Sequence, residues 1–108
     1  MPKQFAAHRS DKRIPMEVAV LLSGHKVTPG IESTFTENVS ARGARVVSVR
    51  RWDTNDRLTL ASRAGDFRAT ARVAYCQSLR ETGYAVGVEF LEPDGQWVIQ
   101  SLSDPFGQ

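Results

Sequence analysis

Residues 67–76 read FRATARVAYC and residues 84–91 read YAVGVEFL, and these two stretches decide the fold. In the first, Phe67, Ala69, Ala71, Val73 and Tyr75 alternate with Arg68, Thr70, Arg72 and Ala74. A helix groups its apolar residues three and four apart, whereas a strand sends every second side chain to the same face. The alternation is too regular for a helix and predicts the longest strand of the chain. The residues from Gln77 to Gly83 then turn it into an antiparallel partner over 84–91.

The same reading extends outward. Upstream, residues 16–22 (MEVAVLL), 31–37 (IESTFTE), 44–49 (ARVVSV) and 58–60 (LTL) are strand candidates. Between them stand turn formers: Ser23-Gly24-His25, Thr28-Pro29-Gly30, Asp53-Thr54-Asn55-Asp56 and Ala64-Gly65-Asp66. Downstream, Glu92-Pro93-Asp94-Gly95 breaks the pattern. Residues 96–102 are expected to form a short helix of one or two turns that packs Trp97, Val98 and Leu102 onto the body, with Pro105 and Gly107 as the stop, or else an irregular tail. Six short strands at regular spacing predict a mainly β, antiparallel barrel or sandwich. The expected organisation is a flexible N-terminal arm over residues 1–15, a β domain over 16–103 and a tail over 104–108.

Composition narrows the function. With 108 residues and 41% hydrophobic content the chain supports one domain and one modest core. No apolar run is long enough for a membrane span, and MPKQFAAHRSDKR has no signal-peptide core, so a soluble cytoplasmic protein is expected. One cysteine, Cys76, excludes an internal disulfide framework, and two histidines, His8 and His25, give no basis for a structural metal site. The net charge of +2 hides an asymmetry: residues 1–80 hold all fourteen Lys and Arg against seven acids, and residues 81–108 hold five acids and no base. Arg, whose planar fork suits phosphate and guanine, outnumbers Lys eleven to three, which points to an anionic or nucleotide partner.

No constellation of catalytic residues is present. His8 lies in the arm and His25 in a polar loop, no Gly-x-Ser-x-Gly surrounds a serine, and there is neither a Walker loop nor a Gly-x-Gly-x-x-Gly. The chain reads as a binding protein rather than an enzyme, with neither cofactor nor metal.

Two short motifs stand out. Arg9 and Arg13 form Arg-x-x-x-Arg ahead of the first long strand; Asn38-Val39-Ser40-Ala41-Arg42-Gly43 is Asn-x-Ser-x-x-Gly where the second strand gives way to the third. Arg presents parallel donors to guanine O6 and N7, an Asn amide and a Ser hydroxyl supply further polar contacts, and Gly lets backbone approach a ligand. Each motif also has a plain reading. Arg68 and Arg72 repeat the arginine spacing inside a strand, on a solvated face, and Asn, Ser and Gly are ordinary turn formers.

Together and in this order, with the strand around Ala71-Arg72-Val73-Ala74-Tyr75 and the closing Tyr84-Ala85-Val86-Gly87-Val88-Glu89-Phe90, the motifs resemble the PilZ domain over residues from about 9 to 91. The resemblance implies a six-stranded antiparallel β-barrel and a receptor for the bacterial second messenger cyclic di-GMP. It assigns nucleotide binding to Arg9, Arg13, Asn38, Ser40 and Gly43. Four further positions have two readings each. His8 could stack on a guanine or stand exposed in the arm. Tyr75 could be a base-stacking or an ordinary barrel aromatic. Lys12 and Arg42 could contact the ligand or only add positive potential. The expected protein is a stand-alone adaptor whose arm orders on the nucleotide to alter contact with a downstream protein, without membrane insertion. The runner-up readings are a scaffold of the same type that binds only protein, and a small barrel that binds single-stranded nucleic acid.

Overall fold

A computed structural model of the protein describes residues 12–99. It holds seven strands: β1 (Ile14–Pro15), β2 (Ala19–Ser23), β3 (Glu32–Ser40), β4 (Gly43–Ser48), β5 (Arg57–Ser62), β6 (Phe67–Ser78) and β7 (Tyr84–Gly95). Every pairing is antiparallel. Neighbours run β3-β2-β5-β6-β7-β4, and a β3–β4 pairing joins the ends, so β2 to β7 close a six-stranded barrel. The two-residue β1 adds to the outside of β3, with Ile14 opposite Val39 and Pro15 opposite Asn38. Closure leaves the six main strands with few free edges, and a barrel this small has room only for its own side chains.

The inward positions are apolar, as the alternation requires. Val20, Leu22, Val39, Val46, Leu60 and Val73 are fully buried, and Ala44, Ala69, Ala71 and Ala85 are buried with them. Fully burying one such aliphatic side chain stabilises the fold by about 1.5–3 kcal/mol. All six predicted strands are present. The hairpin that decided the fold is longer than its alternating core, because Gln77 and Ser78 pair with Ala85 and Tyr84, and Arg68 and Ala69 with Asp94 and Pro93.

Two boundaries differ from expectation for identifiable reasons. The first long strand starts at Ala19 rather than Met16, because the Thr36 hydroxyl intercedes: it accepts from the Val18 amide (2.9 Å) and donates to the Met16 carbonyl (2.7 Å). Pro93 does not end the last strand. β4 accompanies β7 only from Tyr84 to Glu89, so Pro93 sits where β7 is an edge, the setting a strand proline tolerates. The turn comes instead at Gly95, whose φ is +99° and where a Cβ would collide with the Asp66 carbonyl.

The expected helical turns over 96–102 are absent from residues 96–99, and the described residues contain no helix. Leu102 lies outside the described residues. Trp97 is buried against Phe67 and Phe90, with ring centroids 4.7 and 5.0 Å away, and donates its indole N–H to the Ser40 carbonyl (2.8 Å). These contacts hold the segment without a helix. Val98, expected to pack beside it, is exposed.

Candidate functional site

Two of the three register shifts among the described strands set the geometry around Tyr75 and Asn38 on the barrel's outer surface. On β3 the register shifts between Thr36 and Asn38, leaving Glu37 without an opposite number; on β6 it shifts between Val73 and Tyr75, at Ala74. A bulge adds one residue and reverses which parity faces inward. Val73 points in, so strict alternation would bury Tyr75; after the bulge Cys76 is half-buried against the core and Tyr75 stands outside. Likewise Thr36 and Val39 are buried while Asn38, between them, is half-buried at the surface.

Glycines supply the floor. A Cβ on Gly87 would collide with the Tyr75 ring, which lies across it from the neighbouring strand, and a Cβ on Gly43 would collide with the Val88 carbonyl oxygen. Gly43 does not take a positive φ, so it is close strand approach, not backbone twist, that demands glycine there. The resulting cleft of about 190 Å³ is lined by Arg13, Arg42, Gly43, Tyr75, Gly87 and Glu89, among others.

The two sequence motifs meet at this cleft. Arg13, brought alongside β3 by β1, donates from Nη1 to Asn38 Oδ1 (3.0 Å). Ser40 is fully buried: its hydroxyl accepts from the Arg42 amide (3.3 Å) and is within bonding distance of the Gly43 carbonyl (3.5 Å). It shapes the two-residue turn that carries Arg42, a serine turn rather than a surface hydroxyl. Arg13, Arg42, Gly43 and Tyr75 line the cleft together, and Asn38 joins them through Arg13. Lys12 is exposed and is not among the lining residues. His8 and Arg9 lie outside the described residues.

Charge pairing separates the arginines into two sets. Arg45 is braced by Glu37 (2.7 Å), and Arg72 by Glu89 (2.8 Å). The Glu37 carboxylate, helped by the Tyr75 hydroxyl, holds the Arg45 guanidinium above its ordinary pKa. Arg13 and Arg42 have no carboxylate partner among the described residues, so their charge is available to an anion.

Sequence reasoning missed Arg45, Glu37, Gly87 and Glu89. Arg45 Nη1 donates to the Tyr75 hydroxyl (3.1 Å), and its guanidinium carbon lies 5.8 Å from that ring's centroid, so Glu37 and Arg45 together fix the ring over Gly87. An aromatic covering a glycine on the adjacent strand is a known pairing signal. It was hidden because the bulge at Ala74 shifts the register that would align them. The Arg68/Arg72 pair, read as solvated, divides: Arg68 is exposed, while Arg72 is committed to Glu89 and to Asn55 Oδ1 (2.9 Å).

A family model described as PilZ domain matches residues 7–102, nearly the whole chain. No curated protein and no solved structure matches.

Proposed function

Because the chain belongs to the PilZ domain family, a family of ligand-binding domains to which cyclic di-GMP binding is central, we propose that it is a cyclic di-GMP receptor whose ligand seats on the Arg13–Arg42 cleft. The observation that carries this reading is the pair of arginines without carboxylate partners over a glycine floor, beside an aromatic. Such a site offers what a cyclic dinucleotide needs: guanidinium forks for guanine O6 and N7 and for phosphate, and a ring face for base stacking. In this reading Arg9 and Arg13 grip guanine and phosphate from the N-terminal side. Asn38 orients Arg13, Ser40 shapes the turn, and Gly43 keeps the floor open. Arg42 adds a second cation, Tyr75 stacks on a base, and His8 and Lys12 flank the ligand.

The cleft is smaller than the roughly 300 Å³ or more of sites that enclose a whole drug-sized ligand. It therefore suits one base with its phosphate, and the remainder needs a second wall. Residues 4–14 supply that wall by closing over the nucleotide, and the new surface so formed alters contact with a downstream protein. The protein acts in this way as an adaptor and not as an enzyme.

Calorimetric titration with cyclic di-GMP, with GTP and cyclic di-AMP as controls, tests the receptor role. Selective, saturable heat is the expected result; no heat from a folded protein refutes it and leaves a protein-binding scaffold. Amide exchange tests the closure: exchange in residues 4–14 slows at saturating ligand, and unchanged exchange there rules the closure out.

A further inference from the structure

Glu89 is the one carboxylate in a cleft otherwise lined by two arginines, Tyr75 and small or aliphatic residues, and a phosphate site has no use for it. It stands on β7 with Gly43 opposite on one side and Arg72 opposite on the other. Arg72 directs both Nε (3.2 Å) and Nη2 (2.8 Å) to a single oxygen, Oε1, and is itself pinned by Asn55 through Nη1. Glu89 Oε2 makes no hydrogen bond among the described residues. The result is a fixed, acceptor-only group in a cationic cleft with one oxygen uncommitted.

We infer that Glu89 reads the Watson–Crick edge of a guanine seated in the cleft and makes the site selective for that base. Guanine carries acceptors O6 and N7 on one edge, and donors N1–H and the N2 amine on the next. One base can thus satisfy arginine and carboxylate together. Adenine sets its N1 lone pair where the carboxylate requires a donor, so the same group that attracts guanine repels adenine. Arg72 is the positioning residue, since it holds the carboxylate and leaves Oε2 open. This inference rests on the cyclic di-GMP reading above and adds the basis of its base preference.

The test titrates the full chain with cyclic di-GMP and with its inosine analogue, which lacks only the N2 amine. A charge-assisted hydrogen bond to that amine gives the wild type a preference for guanine of about tenfold or more. Glu89→Gln reduces the preference to below about threefold, since an amide replaces one acceptor with a donor. Arg72→Gln removes the ion pair but retains the carboxylate, so the preference falls only part-way, to a value between those of the wild type and Glu89→Gln. Glu89 is partly exposed, and circular dichroism confirms that each variant is folded. A wild type without guanine preference, a Glu89→Gln protein with the wild-type preference, or an Arg72→Gln protein that loses it as fully as Glu89→Gln overturns the inference and leaves an ordinary cross-strand ion pair. If the wild type binds neither dinucleotide, the receptor reading falls first and this one with it.

Discussion

At its open end the β3–β4 hairpin ties its polar groups into a closed circuit; at its turn end, roughly 25 Å away along β3, two arginines stand without an ion pair among the described residues. Ser48 Oγ at the open end donates to buried Glu32 (2.7 Å) and accepts from Trp52 Nε1 (3.1 Å) and the Arg50 amide (3.0 Å). The second Glu32 oxygen takes the Val49 amide (2.8 Å). Nearby, His25 accepts the Val27 and Thr28 amides on Nδ1 and sets Nε2 2.8 Å from the Arg51 carbonyl, so the ring ties its own loop to the segment after β4. At the turn end, Arg13 and Arg42 form no ion pair among the described residues and Tyr75 presents its ring to solvent. Buried polar groups that are fully paired specify a fold; exposed cations without partners add nothing to it and are available for binding.

The difference is testable by breaking each end and asking whether the other notices. Trp52→Ala removes a fully buried indole and leaves a cavity, so it lowers stability by about 4 kcal/mol. Chemical denaturation reads that loss, and cyclic di-GMP affinity per folded molecule stays at the wild-type value. Arg13→Ala does the opposite. Its side chain is exposed and makes one hydrogen bond among the described residues, to Asn38, so stability changes by no more than about 0.5 kcal/mol. Affinity for cyclic di-GMP drops by about 100-fold, the scale of a lost charged contact in a binding site. If Arg13→Ala melts early, or Trp52→Ala weakens binding beyond its unfolded fraction, the two ends are not separable.

Glu32→Gln sharpens the contrast within the open end. Glu32 receives two donors, one on each oxygen, and an amide turns a nitrogen toward one of them. Ser48 cannot simply reverse, because its lone pairs already serve Trp52 and Arg50. The expected cost is about 2 kcal/mol, with binding untouched. Equal denaturation midpoints for the variant and the wild type would show that water relieves the mismatch.

These two ends were not equally legible from sequence. Period-two patterning located all six long strands, because inward positions such as Val20, Leu22, Val73 and Val88 must be apolar wherever the barrel closes. The motif residues Arg13, Asn38, Ser40, Arg42 and Gly43 were legible as types at a spacing. What their spacing could not convey was the insertion of one residue at Glu37 and another at Ala74. A bulge leaves no mark in composition, yet it decides that Tyr75 faces out and that Glu89, Arg45 and Gly87 share its surroundings. Charge partners across strands, such as Arg72 with Glu89, depend on that register and were invisible for the same reason. Of the two expectations after Gly95, helix or tail, residues 96–99 follow the second: apolar spacing around Trp97 fits a helix, but burial of one indole and its bond to Ser40 is enough to dock an irregular segment.

The Tyr75–Gly87 contact offers the finest test of the turn end, because it asks whether the cleft's aromatic wall is built by the barrel or merely rests on it. A Cβ at Gly87 would enter the Tyr75 ring, and the ring, partly exposed, can swing aside at the loss of its Arg45 hydrogen bond. Gly87→Ala is therefore expected to destabilise by only about 1 kcal/mol while weakening nucleotide binding by displacing the stacking face. With Tyr75→Ala already in place the obstruction is gone, and alanine's smaller backbone entropy in the unfolded chain makes the same substitution neutral or stabilising by about 0.5 kcal/mol. The double-mutant cycle then shows a coupling of about 1 kcal/mol or more, concentrated in these two residues. Additive effects would mean that the ring is not held over Gly87 in solution. Tyr75 would then be an ordinary surface aromatic, and the cleft would have two arginines but no wall for a base to stack on.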